Sequence, residues 1–412
     1  MHPSLEKLYG LILEADKVLE RVVYRTPVDR SRTLSNITEG EIYLKLENLQ
    51  RTGSFKIRGA YYFLWSILRK RCNVKLCVAA SSGNHAQGVA LAASELGMKS
   101  IIVMPERTPY VKVNATRSYG AKVVLHGSTY DDAYSKAMDI KDKFNAVFVH
   151  PFNDERIIAG QGTIGLEIVR KLGDIDVVLV PVGGGGLISG IAIAVKKLIP
   201  HAKIIGVQPE GAPAMALSFK EGKLIEVKRV DTIADGVAVK KPGELTFNII
   251  KEVVDDIVLV SEEDIVQALF LLLERSKCVA EPAGALSVAA LIGNKVDLKG
   301  KRAVAVISGG NIEMSMLARL IDKAMFLEGR LVRICGELPD RPGMLMKVLK
   351  ILAALKANIV EISHDRLGPY LKPGKARVYV TFEVKDERDL KKILRKLEEK
   401  GFVFTVAGSS PT

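Results

Sequence analysis

Short runs rich in Val and Ile recur along the chain at 76–79, 100–104, 122–125, 177–182, 203–207, 257–260 and 303–307. Between them lie longer stretches with helical spacing, at 84–96, 110–119, 130–144, 161–172, 188–199, 262–276 and 282–292. Strands alternating with helices predict an α/β fold, with parallel sheets flanked by helices on both faces. Ligands of such sheets bind beyond the carboxyl ends of strands.

The pattern changes near residue 329. A helix over 312–327 is followed by a strand at 330–336, a helix at 342–355, strands at 359–366 and 377–384, a helix at 387–400 and a strand at 402–406. That order, β-α-β-β-α-β, is a ferredoxin-like α+β module of about 80 residues, joined through the corner at Glu328 and Gly329.

Composition narrows the class. A chain of 412 residues, 48% hydrophobic, has room for two or three cores. The net charge is +13, with 16 Lys and Arg against 10 Asp and Glu in residues 331–412; the excess is spread out, not gathered in a tract. Aromatics are only 6% and do not alternate with basic residues, so a nucleic-acid partner is not expected. Cys72, Cys77, Cys278 and Cys335 have no zinc or redox spacing and read as free thiols in a reducing compartment, hence a cytoplasmic protein. Residues 1–17 carry charges throughout and are no signal peptide. Residues 177–195 are uncharged over 19 positions, but Pro181 and four glycines interrupt them. Those cost about 3 and about 1 kcal/mol each inside a helix. A strand, a glycine turn and a helix start explain the letters better than a membrane span.

Two segments carry chemistry. Thr52-Gly-Ser-Phe-Lys56 places a lysine in the first turn of a helix that Thr52 or Ser54 can cap. The positive end of the helix dipole disfavours the charged amine and so favours its use as nucleophile and base. Gly183, Gly184, Gly185 and Gly186, followed by Leu187, lie between a buried strand and an apolar helix. Glycines let backbone N–H groups approach a phosphate at a helix N-terminus. No Lys-Ser/Thr follows, and Ile188 and Ser189 stand where a dinucleotide loop needs glycine. An amine and a phosphate cradle on one chain suggest a cofactor with an aldehyde at one end and a phosphate at the other, pyridoxal phosphate.

Two further loops end strands. Ser81-Ser82-Gly83-Asn84-His85 offers hydroxyls and N–H groups suited to a helix cap or to gripping a carboxylate. Ser308-Gly309-Gly310-Asn311 reads as a strand-to-helix turn capped by Asn311, or as a hydroxyl at the cofactor's ring nitrogen. A neutral hydroxyl cannot protonate a pyridine as an aspartate would. The ring is then a weaker electron sink, which favours prompt loss of a β-leaving group.

These four motifs, with Lys56-Ile57-Arg58-Gly59-Ala60 and with 150–153 (His-Pro-Phe-Asn) and 159–163 (Ala-Gly-Gln-Gly-Thr), resemble fold-type II pyridoxal-phosphate enzymes, within them the threonine dehydratases (threonine ammonia-lyases) and related serine racemases. The resemblance covers about residues 5–325. It implies a two-subdomain catalytic domain over 1–328, with a smaller subdomain roughly at 50–150 inserted in the larger one. It implies that Lys56 holds the cofactor, Asn84 contacts the ring hydroxyl, and Gly183, Gly184, Gly185, Gly186 and Leu187 bind phosphate. Ser308 would meet the ring nitrogen. Ser81, Gly83 and Asn84 would hold the substrate carboxylate, and Ser82 matches the serine that racemases use as a second acid/base. Some relatives bind a divalent cation through a Glu and an Asp; Gln208 and Ala214 stand there instead, so no divalent metal is expected, and a monovalent cation near Glu281 stays open.

Leu338-Pro339-Asp340-Arg341-Pro342-Gly343 resembles the turn into the first helix of an ACT domain, which implies an amino-acid-binding, self-pairing regulatory module over 329–412. The resemblance as a whole implies deamination of L-threonine to 2-oxobutanoate and ammonia, with L-serine giving pyruvate, in a homodimer or homotetramer responding to an amino-acid effector. A serine or aspartate racemase with lyase side activity and a catalytically inert amino-acid sensor are the alternatives.

Overall fold

A computed structural model describes residues 2–70, 74–368 and 370–407. Cys72 lies outside them. The chain forms two compact units, Met1–Met314 and Ser315–Thr412.

The strands of the first unit, in chain order, are β1 (Val28–Arg30), β2 (Glu41–Leu46), β3 (Leu76–Ala80), β4 (Lys99–Met104), β5 (Lys122–Leu125), β6 (Val147–Phe148), β7 (Val177–Pro181), β8 (Lys203–Pro209), β9 (Asp256–Val260) and β10 (Arg302–Ile307). They build a large sheet ordered β1-β2-β10-β7-β8-β9 and a small one ordered β5-β4-β3-β6. Every pairing is parallel except that of β1 with β2. All seven apolar runs of this region are strands. β1, β2 and β6 escape the pattern for different reasons. β1 and β6 have three and two residues, too few to show a period. β2 carries Lys45, a charge at a position that is fully buried.

Lys45 is tolerated because it joins an ionic cluster. Its Nζ donates to the Thr26 carbonyl at 2.8 Å and to Glu167. Arg58 grips Glu47 through Nε and Nη2, both at 2.8 Å, and Glu167 through Nη1 at 2.7 Å. Thr26 donates to Glu47 as well. Two cations and two carboxylates thus cancel inside the core, where a lone charge would cost several kcal/mol.

Three helices meet backbone to backbone. A Cβ on Gly160, in the helix Glu155–Leu172, would lie 2.6 Å from Cα of Gly59 in the helix Lys56–Lys70. A Cβ on Gly190, in the helix Gly186–Leu198, would lie 2.5 Å from the Gly162 nitrogen. The N-terminal helix Pro3–Leu19 covers this stack with Leu5, Leu8, Ile12, Ala15 and Leu19, one stripe at helical spacing. The middle helix starts at Glu155, six residues before the sequence-based start, because the Asp154 side chain caps it, accepting from the Arg156 N–H at 2.8 Å. Its closely spaced glycines hide the helical pattern.

The helix Met314–Leu327, whose start falls two residues beyond the sequence-based one, belongs to the second unit from Ser315 onward. Then come β11 (Leu331–Pro339), β12 (Asn358–Asp365), β13 (Lys375–Glu383) and β14 (Phe404–Val406), with helices Met344–Ala354 and Glu387–Glu398 between them. The sheet is antiparallel, ordered β12-β13-β11-β14. Val332, Ile334, Val378, Val380 and Phe382 pack one face of it against Val348, Leu352, Ile393 and Leu397 of the helices. This is the β-α-β-β-α-β order that the sequence predicts.

Candidate active site

The carboxyl ends of β3, β7 and β10 open into one cavity of about 710 Å³. Its wall contains Lys56, Ser81, Ser82, Gly83, Asn84, Gly183, Gly184, Gly185, Gly186, Leu187 and Ser308. The fold therefore brings together the residues to which the sequence reading gives a cofactor, substrate or catalytic role, although 252 positions separate the first from the last.

Lys56 begins its helix. Its root is held by the helix Asn84–Glu95, where a Cβ on Gly88 would lie 3.1 Å from the Lys56 Cβ. The Nζ donates to the Pro151 carbonyl at 3.1 Å and lies 5.1 Å from the centre of the Phe55 ring. Burial pushes the ammonium down to about 8, against the pull of Glu281. Neither Thr52 nor Ser54 caps the helix: Thr52 Oγ1 donates to the Ser54 carbonyl, and Ser54 Oγ has no partner. The chain before Lys56 is instead pinned to the end of β10. The Phe55 N–H donates to the Ser308 carbonyl at 3.2 Å, and Ser54 bridges Gly309.

The glycine loop leaves β7 and starts the next helix with Gly185 at φ +94 and no side-chain cap. A Cβ on Gly184 would lie 2.3 Å from the Phe152 ring, and one on Gly183 would lie 3.0 Å from Val237 Cα. Glycine is required because Phe152 and Val237 press against the loop. Thr246 Oγ1 also holds it, donating to the Gly184 carbonyl at 2.6 Å. A helix start without a side-chain cap leaves N–H groups for an anion, so the loop fits a phosphate.

Across the cavity, Asn84 Nδ2 donates to Glu281 Oε1 at 2.6 Å, and Asn84 Oδ1 accepts from Asn311 Nδ2 at 2.7 Å. Asn311 also donates to the Thr52 carbonyl at 2.7 Å, so it ties loops together instead of capping a helix. Gly83 is the N-cap residue of the Asn84 helix, without a side-chain bond. Ser81 Oγ accepts from the Gly83 N–H at 3.2 Å. Burial, with Asp235 nearby, pushes the Glu281 carboxyl up to about 8. Burial lowers His85 to about 3 and His150 to about 4, so both rings are neutral near pH 7. Ser308 is 4% exposed, and its Oγ lies 3.5 Å from the Ala283 carbonyl.

Several residues at or near the wall were given no role of their own in the sequence. Lys112 donates to Asp235 at 2.8 Å, from the helix Tyr110–Ser118 to the turn Asp235–Val237. Gln161 is 1% exposed and lines the cavity, yet its Oε1 has no hydrogen-bond partner. A polar residue on the buried face of an apolar helix was the signal available. Gln208 is spent on bracing, donating to the Val182 carbonyl and accepting from the Ala216 N–H.

Residues 19–309 match the pyridoxal-phosphate-dependent enzyme family, and residues 334–402 match the ACT domain. The L-threonine ammonia-lyase of Thermotoga maritima is 50% identical over 397 residues, covering 96% of this chain and 98% of that protein. That of Geobacter sulfurreducens is 46% identical over 399 residues, covering 97% and 99%. The processed form of threonine deaminase isoform 2 from Solanum lycopersicum superposes with a TM-score of 0.75 at 39% identity, covering 79% of this chain and 90% of that one.

Proposed function

The chain belongs to the pyridoxal-phosphate-dependent enzymes and carries an ACT domain, and on that footing we propose that it is a threonine ammonia-lyase, converting L-threonine to 2-oxobutanoate and ammonia. The observation that carries this reading is the meeting of Lys56, the glycine loop and Ser308 in one cavity. Lys56 would hold the cofactor's aldehyde, the N–H groups of Gly183 to Leu187 its phosphate, Asn84 its ring hydroxyl and Ser308 its ring nitrogen. Bound there, pyridoxal phosphate supplies an electron-withdrawing ring that acidifies the substrate's α-hydrogen.

The chain's own residues do the rest. Ser81, Gly83 and Asn84 orient the substrate through its carboxylate, at the start of a helix whose dipole favours a negative charge. Lys56, when its amine is free, would take the α-proton. An amine near 8 is well matched to this task close to neutral pH. His85 and His150 are neutral and engaged, with His85 Nε2 bonded to the Val149 carbonyl and His150 Nδ1 accepting from Phe152 and Asn153, so neither competes as the base. Ser308 donates no charge, which favours elimination over reactions needing a long-lived negative charge on the α-carbon. Ser82, on the same wall, is the candidate second acid/base for a racemase side activity.

The ACT domain would take an amino-acid effector, with an isoleucine-forming pathway, a cytoplasmic location and a homo-oligomeric state as parts of this proposal. No helix among the described residues is long and apolar enough to cross a membrane. The deciding assay is release of 2-oxobutanoate and ammonia from L-threonine, with pyruvate and D-serine followed from L-serine. Absence of 2-oxobutanoate with rapid D-serine formation would replace the lyase with a racemase.

A further inference from the structure

A chain of hydrogen bonds that begins at a backbone atom decides which way round the Asn84 amide sits. A carbonyl oxygen can only accept, so the group of Asn311 that meets the Thr52 carbonyl at 2.7 Å is its Nδ2. The second hydrogen of that Nδ2 goes to Asn84 at 2.7 Å, and the atom receiving it must be the acceptor, Oδ1. With Oδ1 so placed, Asn84 Nδ2 faces Glu281 and donates one hydrogen to Oε1 at 2.6 Å. An amide nitrogen has two hydrogens. Among the described residues the second has no partner, and Asn84, Glu281 and Asn311 all line the cavity. The chain is wedged in place. Asn311 Oδ1 lies against Gly53, at φ +69, where a Cβ would collide with it, and the Gly310 N–H donates to the Gly53 carbonyl at 2.9 Å. The Gly309 backbone closes another side, since a Cβ there would lie 3.1 Å from Asn84 Nδ2.

We propose that Asn311 is a positioning residue for Asn84, fixing its amide so that an N–H, and not a carbonyl oxygen, meets the oxygen of the cofactor's ring hydroxyl. The inference rests on the reading of this cavity as a pyridoxal-phosphate site with Lys56 as its lysine. A donor at that oxygen favours its ionised form, as a hydrogen bond to a charged group does. An acceptor there would favour the protonated form. The fixed point of the chain is Thr52, four residues before Lys56, and Asn311 lies three residues after Ser308. The two loops that present the amine and the Ser308 hydroxyl thus also set the direction of the bond to the ring oxygen.

The test is the absorption spectrum of the full-length protein loaded with pyridoxal phosphate, without substrate and at one fixed pH. Cofactor joined to a lysine absorbs in the visible when its ring oxygen is ionised and in the near ultraviolet when that oxygen is protonated. Wild type should show mainly the visible band, and a mainly near-ultraviolet spectrum would overturn the proposal. Asn311→Leu keeps the bulk and donates nothing, so the Asn84 amide is free to turn. The ratio of visible to near-ultraviolet absorbance should then fall about fivefold, the worth of one hydrogen bond. Asn311→Asp, when ionised, can only accept. It draws Asn84 Nδ2 toward itself, and the ratio should fall further. A purely structural role would lower Tm and cofactor affinity in both variants and leave the ratio at its wild-type value, which would overturn the proposal. If the leucine variant does not fold, the aspartate variant decides alone. A wild type that shows neither band after loading would overturn the cofactor site itself and the proposal with it, so the two failures are told apart.

Discussion

Arg58 and Glu47 meet through two parallel hydrogen bonds, Nε to Oε2 and Nη2 to Oε1, each 2.8 Å long, with no part of either side chain exposed. Arg58 lies two residues after Lys56, so the ion pair anchors the helix that presents the amine. Arg58→Met should destabilise the protein by about 3–5 kcal/mol, because it leaves carboxylates buried against Lys45 alone. The double variant Arg58→Met, Glu47→Leu should recover part of that loss. Urea unfolding of wild type, Arg58→Met, Glu47→Leu and the double variant checks it, and additive losses would contradict a coupled pair.

Lys56→Ala should remove both the covalent hold on the cofactor and all measurable turnover, since among the described residues the other lysines of the cavity wall, Lys112, Lys240 and Lys241, are not buried. Borohydride treatment of wild type should fix the cofactor on the peptide carrying Lys56. Label on another lysine would overturn the assignment.

Ser308→Asp should hold a proton toward the cofactor's ring nitrogen, as a hydroxyl cannot. We expect elimination to slow relative to transamination and racemisation. Product ratios from L-serine measure this, and an unchanged ratio would remove the role given to Ser308.

The cavity carboxyl and amine give stability a pH dependence of opposite sign. Glu281 titrates near 8 in the fold against 4.5 for an ordinary glutamate, so the folded state binds more protons between those values and stability falls as pH rises through them. Lys56, near 8 against 10.5, makes stability rise from about 8 upward. The lowered His85 and His150 oppose Glu281 below their ordinary value of 6.5. Glu281→Gln in cofactor-free protein should therefore flatten the decline in Tm between about 6.5 and 8 and leave the rise above it. A decline of wild-type slope in the variant would rule out Glu281 as its source.

Deleting residues 329–412 should leave an enzyme that still deaminates threonine and no longer responds to amino acids. Coupling between such sites is typically about 1–3 kcal/mol. A second truncation after Met314 asks whether the helix Met314–Leu327, which groups with the C-terminal unit, is dispensable for the catalytic half. Full regulation in either shortened protein would reject the ACT domain as the regulatory site.

The sequence reveals most where one residue type has one use. Apolar runs became strands because parallel strands are buried on both faces, and four glycines between a strand and a helix allowed few other readings. It hides what depends on partners far along the chain. Lys45 breaks the pattern of β2 because its counter-ion, Glu167, lies 122 residues away. Thr52 and Ser54 look like caps, yet the segment's partner is the end of β10, more than 250 residues downstream. Gln161 sits in a helix blurred by glycines, and only the structure shows its buried Oε1 to be without a hydrogen-bond partner.

The glycine contacts between Gly160 and Gly59, and between Gly190 and Gly162, have a metric consequence. Side chains between helices act as adjustable spacers, and at these two crossings backbone meets backbone without one. The amine on one outer helix and the anion cradle at the start of the other are therefore held like the jaws of a fixed-gap calliper. A ligand must match that gap from its carbonyl carbon to its phosphorus. Gly160→Ala would open the jaws by about the thickness of a methyl group, so it should discriminate against pyridoxal phosphate more than against a longer homologue with one extra methylene before the phosphate.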